Sequence, residues 1–239
     1  VSVQLPLLAQ RLPIWACLPV VVGQGLGVRR RTPRLPEAQG VEGVRGTPGA
    51  PFRLAVVGDS LAAGVGVTSH DDTVAGHLAQ LLAEERRHEV RWRVDARNGT
   101  TAEEIRALLA GVDLRETDAV LISVGVNDTK DLHTLGRWRR ELTALLDHVL
   151  REASQAQVVL LGVPPMERFP ALPRPLADVF GARATRLRAV AAEVVASRPR
   201  VRHLLLDLPG DPTAFAADGF HPGPRFHRAI AEAAVALLD

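Results

Sequence analysis

The chain has 239 residues, 46% of them apolar, which is enough to bury a substantial core in one α/β domain, or in one domain with an appendage, and excludes a disordered chain. The formal net charge is +2, and Lys130 is the only lysine among 29 basic residues. The arginines are scattered among acids, with no basic stripe interleaved with aromatics, so nucleic acid is not an expected partner.

The first segment differs from the rest. An apolar run from Leu12 to Gly23 is shorter than the roughly 20 residues a membrane-spanning helix needs. Arg29, Arg30 and Arg31 follow that run, whereas a secretory signal carries its charge in front. The expectation is that residues 3–31 lie on a membrane surface, with Trp15 and the arginines at headgroup level, or pack as an arm on protein. This favours a membrane-associated protein, on the cytoplasmic side rather than secreted. Cys17, alone, excludes an intramolecular disulfide. Residues 32–51 are rich in Pro and Gly and read as a linker, so residues 1–51 form an arm or anchor plus linker and residues 52–239 the folded domain.

From Phe52 the pattern becomes regular. Residues 52–57 are an apolar strand. Val74, Leu78, Leu81 and Leu82 recur at helical spacing, with Asp71 or Asp72 as the expected cap. Residues 90–96 alternate and read as a half-exposed strand. A helix opens at Thr100 or Thr101, carries acids in its first turn and stops at Gly111. Residues 118–125 are a buried strand. Residues 134–153 form a helix with Leu135, Trp138, Leu142, Leu145, Leu146 and Val149 on one face. Residues 157–163 are a strand, 175–197 a helix with a break expected near Gly181, 201–208 the last strand, and 223–238 the closing helix with Pro224 near its start. Strands alternating with helices predict a three-layer α/β/α sandwich with a five-stranded parallel, flavodoxin-like sheet, all strand C-termini on one edge.

Chemistry-bearing residues stand at those ends. Gly58-Asp59-Ser60 closes the first strand, Asn98-Gly99-Thr100 the second, and Gly125-Val126-Asn127-Asp128 the third. Asp218 stands three residues before His221 ahead of the closing helix. A hydroxyl, an imidazole, a carboxylate and glycine-flanked polar groups are the parts of a serine hydrolase. The four blocks, GDS, a Gly after the second strand, GxND and DxxH, resemble in this order the SGNH hydrolases, also called the GDSL lipase/esterase family. The resemblance covers about residues 52–239. It implies Ser60 as nucleophile, His221 as general base and acid, and Asp218 as the group that orients it. It also implies an oxyanion hole from the N–H groups of Ser60 and Gly99 and the Asn127 amide. Asp59 and Asp128 read as structural hydrogen bonders, and His227, inside the last helix, as a surface or core residue.

Other motifs fail. No P-loop, HExxH or Cys/His cluster exists, so no metal and no cofactor are expected. Ser60 lacks the second Gly of a GxSxG elbow. The long Pro-stiffened loop after the fourth strand carries Met166, Phe169 and Leu172, which suggest either an apolar acyl or aryl pocket or, equally, simple packing. The expected reaction is hydrolysis of carboxylic esters of short- to medium-chain acyl or lysophospholipid-like type through an acyl-enzyme. An acyltransferase or carbohydrate deacetylase with the same triad is the alternative, and a non-catalytic binder a third class. The oligomeric state is not read from the sequence.

Overall fold

The protein is described by a computed structural model covering residues 18–208 and 211–238. Trp15 and Cys17, and the other residues of the expected 3–17 membrane-surface segment, lie outside that range. Among the described residues six strands appear: β1 (Glu42–Arg45), β2 (Phe52–Gly58), β3 (Val90–Ala96), β4 (Ala119–Ser123), β5 (Gln157–Leu161) and β6 (Val201–Leu204). They form one sheet in the order β1-β3-β2-β4-β5-β6. All neighbours from β3 to β6 pair in parallel. Helices α1 (Leu18–Arg31), α2 (Val74–Arg86), α3 (Ala102–Leu109), α4 (Val126–Lys130), α5 (Leu135–Glu152), α6 (Leu176–Ala196) and α7 (Pro224–Val235) complete the chain. α2 packs with α7, and α3, α5 and α6 pack in series, which gives the three-layer α/β/α sandwich.

Burial explains the strands. Every residue of β4 is buried, and so are Leu54 to Gly58 of β2, as fits parallel strands covered on both faces. In β3 Val90, Trp92 and Val94 are buried while Arg91 is exposed. The sixth strand differs from expectation. Residues 42–45, read from their surroundings as linker, pair antiparallel with β3, Gly43 opposite Trp92. A Cβ on Gly43 would stand 2.7 Å from the Trp92 ring, so the glycine lets that ring lie against the edge strand. Four residues among glycines are too short a run for periodicity to reveal.

Two helix details also differ. The cap of α2 is Thr73, whose hydroxyl accepts from the Ala75 N–H at 3.3 Å, while Asp71 and Asp72 belong to a preceding 3-10 turn. The fully buried His227 adds to this cap by accepting the Val74 N–H on Nδ1 at 3.2 Å. Burial pushes its pKa down to about 3, so the ring stays neutral and can accept. The break expected near Gly181 is absent. α6 runs through it, and the missing side chain makes room for Glu167. The apolar face of α5 is buried as expected from Trp138 to Val149, with Leu135 left exposed in the first turn.

Candidate active site

The sheet order positions the site. β2 stands between β3 and β4, so the chain leaves β2 to one side and crosses back to the other. Ligands in open α/β sheets gather at such a switch point, beyond the strand C-termini. Gly58 ends β2 with φ +144°, and a Cβ there would overlap the Ser123 carbonyl, so only glycine closes β2 against β4 at this point. Asp59 is buried, and its Oδ1 accepts from the Ser123 hydroxyl at 2.7 Å and the Leu61 N–H at 3.1 Å. Burial raises the Asp59 pKa against the lowering influence of those two bonds. Asp59 therefore staples the ends of β2 and β4, and holds Ser60 beside them. Ser60 enters a series of turns, not an α-helix, so its side chain is not a helix cap.

The flanking strands supply the next groups. Gly99 follows β3, is exposed and has φ +85°; a Cβ would meet nothing there, so the backbone angle alone calls for glycine. Its turn is tied down from both sides. Asn98 donates its N–H to Glu37 Oε1 at 2.7 Å, and the Thr100 hydroxyl lies 2.8 Å from the Arg97 carbonyl and 3.2 Å from that of Gly58. Asn127 follows β4 at the start of α4 and is buried. Its Nδ2 donates to the Thr100 carbonyl at 2.9 Å, which joins the Asn127 amide to the Gly99 turn.

The remaining pair comes from the loop before α7. His221 Nδ1 lies 2.6 Å from Asp218 Oδ2. Asp218 Oδ1 also accepts the N–H groups of Phe220 at 2.9 Å and His221 at 3.0 Å. Burial raises the Asp218 carboxyl, but the bonds from His221 and Phe220 together outweigh it and hold the pKa below the usual carboxylate value. A carboxylate at Nδ1 fixes the imidazole with Nε2 unprotonated.

Ser60 and His221 share the wall of one narrow cavity of about 40 Å³. No hydrogen bond joins the Ser60 hydroxyl to His221 among the described residues, and Gly99 and Asn127 do not line the cavity. Asp59 and Ser123 also line it, and the rest of the wall is mostly apolar, with Leu61, Val126, Phe169, Leu206, Leu208, Phe215, Phe220 and Phe226. Of the three pocket residues expected from sequence, only Phe169 lines it. Met166 and Leu172 are buried in the core instead, where the short turn that holds Met166 packs against α6. The aromatic lining from Phe215 and Phe220 was missed, since it flanks the DxxH block and reads there as packing. Glu37, in the presumed linker, carried no signal at all.

One group among the described residues brings together three side chains whose donor atoms could hold a cation. His133 Nδ1 lies 3.2 Å from Asp128 Oδ1 and 3.1 Å from Glu141 Oε2. The spacing in sequence matches no metal motif, because α4, its following turn and α5 bring the three together. Asp128 Oδ1 also accepts the Ala102 N–H at 3.3 Å, so this acid braces α3 against α4. Burial pushes its pKa up to about 6.

Comparison with known proteins agrees with the geometry. Residues 56–229 match the GDSL-like Lipase/Acylhydrolase family. The chain is 28% identical over 229 residues to the GDSL-like esterase Rv1075c of Mycobacterium tuberculosis, covering 85% of this chain and 70% of that protein. It superposes on the lipase/acylhydrolase from Enterococcus faecalis with a TM-score of 0.61 at 23% identity, over 77% of this chain and 94% of that one. It superposes on a carbohydrate esterase family 2 enzyme with a carbohydrate-binding domain from Corynascus thermopiles at 0.62 and 15% identity, over 80% and 68% of the two chains. These structural likenesses establish a shared fold. With the GDS, Gly, GxND and DxxH blocks gathered along one sheet edge, the chain belongs to the GDSL-like lipase/acylhydrolase family and is a hydrolytic enzyme of the SGNH type.

Proposed function

We propose that the enzyme cleaves carboxylic esters through an acyl-enzyme on Ser60. The observation that carries this is His221, held by Asp218, on the same cavity wall as Ser60. His221 Nε2 takes the Ser60 proton as Oγ attacks the ester carbonyl. The oxyanion forms facing the N–H groups of Ser60 and Gly99 and the second N–H of the Asn127 amide. Collapse expels the alcohol, which receives the proton from His221. Water, activated by the same imidazole, then releases the acid. Asp218 holds the ring and stabilises the imidazolium throughout.

The apolar wall favours an acyl chain over a sugar ring, in line with lipid-like or simple esters. A panel of p-nitrophenyl esters tests this. kcat/KM should rise from acetate to medium chains, whereas a maximum on acetate or on an acetylated sugar would favour a deacetylase. Competing alcohols in the same assay separate hydrolysis from acyl transfer.

Association with a membrane surface is part of the proposal. No described helix is long and apolar enough to cross a membrane. In α1, Leu18, Val22 and Leu26 are exposed along one face at four-residue spacing, with Arg29 to Arg31 at the end. Gln24 docks the helix by donating to the Arg174 carbonyl at 2.6 Å and accepting the Leu176 N–H at 3.0 Å. Removing residues 1–50 is a poor test, since it deletes β1 and the Glu37 contact. Changing Leu18, Val22 and Leu26 to Ser should instead reduce co-sedimentation with anionic liposomes and leave soluble-ester kcat/KM unchanged. Each arginine adds roughly 1 kcal/mol on such a surface, so binding should weaken as salt rises. Unchanged co-sedimentation would assign α1 to protein packing.

Dialysis against EDTA should leave kcat/KM intact, because no step above uses a metal and the Asp128–His133–Glu141 group lies outside the cavity wall. Loss of activity restored by Zn2+ would contradict the metal-free mechanism.

A further inference from the structure

We propose that Lys130 is a positioning residue for the oxyanion hole, acting through Asn127; the inference rests on the esterase reading above. Its Nζ donates to Asn127 Oδ1 at 2.8 Å and stands 5.5 Å from the centre of the Phe220 ring. A lysine ammonium can only donate and a backbone carbonyl can only accept. Lys130 on one end of the amide and the Thr100 carbonyl on the other therefore force a single orientation. The Asn127 NH2 group faces the Gly99 turn, and one N–H is left over for a ligand. A full positive charge on the amide oxygen also polarises the amide, making that N–H a stronger donor.

The surroundings hold the ammonium in place. The Phe220 ring, next in sequence to His221, offers a π face to the cation. The composition points the same way. Every other basic position in the chain is arginine, so the single lysine stands where a compact point charge is needed and a broad planar guanidinium fits less well.

The test is the kinetics of K130M and K130R, alone and combined with N127A, on p-nitrophenyl butyrate. K130M should lower kcat about tenfold to thirtyfold with KM within about twofold, the size expected for loss of one charged hydrogen bond. K130R, which keeps the charge, should lose less. In the N127A background K130M should change kcat by less than about twofold, because a residue that acts through Asn127 has nothing left to position. A wild-type kcat in K130M would overturn the proposal. So would equal losses in the two backgrounds, or a raised KM at constant kcat, which would make Lys130 a substrate anchor. Failure of the esterase reading is distinguishable, because Ser60→Ala would then keep its activity whatever Lys130 does.

Discussion

Ser60→Ala should lower kcat by about 10⁴–10⁶ while the protein stays folded. The size follows from chemistry. Without Oγ there is no acyl-enzyme, and the imidazole of His221 has no nucleophile to activate. What remains is water attack on an ester polarised by the oxyanion donors. The fold should tolerate the change, because the loop is held by backbone and Asp59 bonds, among them the Ser60 carbonyl accepting the Val65 N–H at 3.0 Å and Asp59 accepting from Ser123. A melting temperature within a few degrees of wild type, beside lost turnover, is the expected pair of results. Turnover retained at more than a few per cent would remove Ser60 from the mechanism.

Asn127→Ala should lower kcat by about 10²–10³ with a smaller change in KM, since one oxyanion donor acts chiefly when charge builds on the carbonyl oxygen. The same change breaks the bond to the Thr100 carbonyl and leaves Lys130 without its acceptor. A loss of stability of about 1–2 kcal/mol should accompany it, from the unsatisfied buried carbonyl. Denaturant titration separates the two effects. If KM rises at constant kcat, Asn127 binds the ester in its ground state instead.

Much of this arrangement is legible before any coordinates. Parallel strands buried on both faces leave continuous apolar runs, and residues 52–57 and 118–125 carry them plainly. The chemistry then had to sit where those runs stop, and Ser60, Gly99 and Asn127 do follow β2, β3 and β4, three neighbours in the sheet. Asp218 and His221 are close in sequence, so a local turn suffices to join them. What the pattern hides is contact between distant segments. β1 is too short to have a period, and its partner β3 is about fifty residues away. Glu37 reaches Asn98 from a stretch with the composition of a linker. The cluster of Asp128, His133 and Glu141 depends on how α4 meets α5. Met166 and Leu172 show the limit of reading a pocket from apolar content, because core and pocket use the same residue types and only packing tells them apart. Lys130 stands three residues from Asn127, where helical spacing brings the side chains together, but nothing in the sequence marks it as the partner of that amide.

The most direct test of the mechanism is covalent. The full chain is treated with a fluorophosphonate probe, digested, and the modified residue mapped by mass spectrometry. The expected result is one probe per chain on Ser60, with esterase activity lost in proportion to labelling and no labelling in Ser60→Ala. Labelling at another serine with the same loss of activity would contradict the assignment, as would full ester hydrolysis by protein that the probe leaves unmodified.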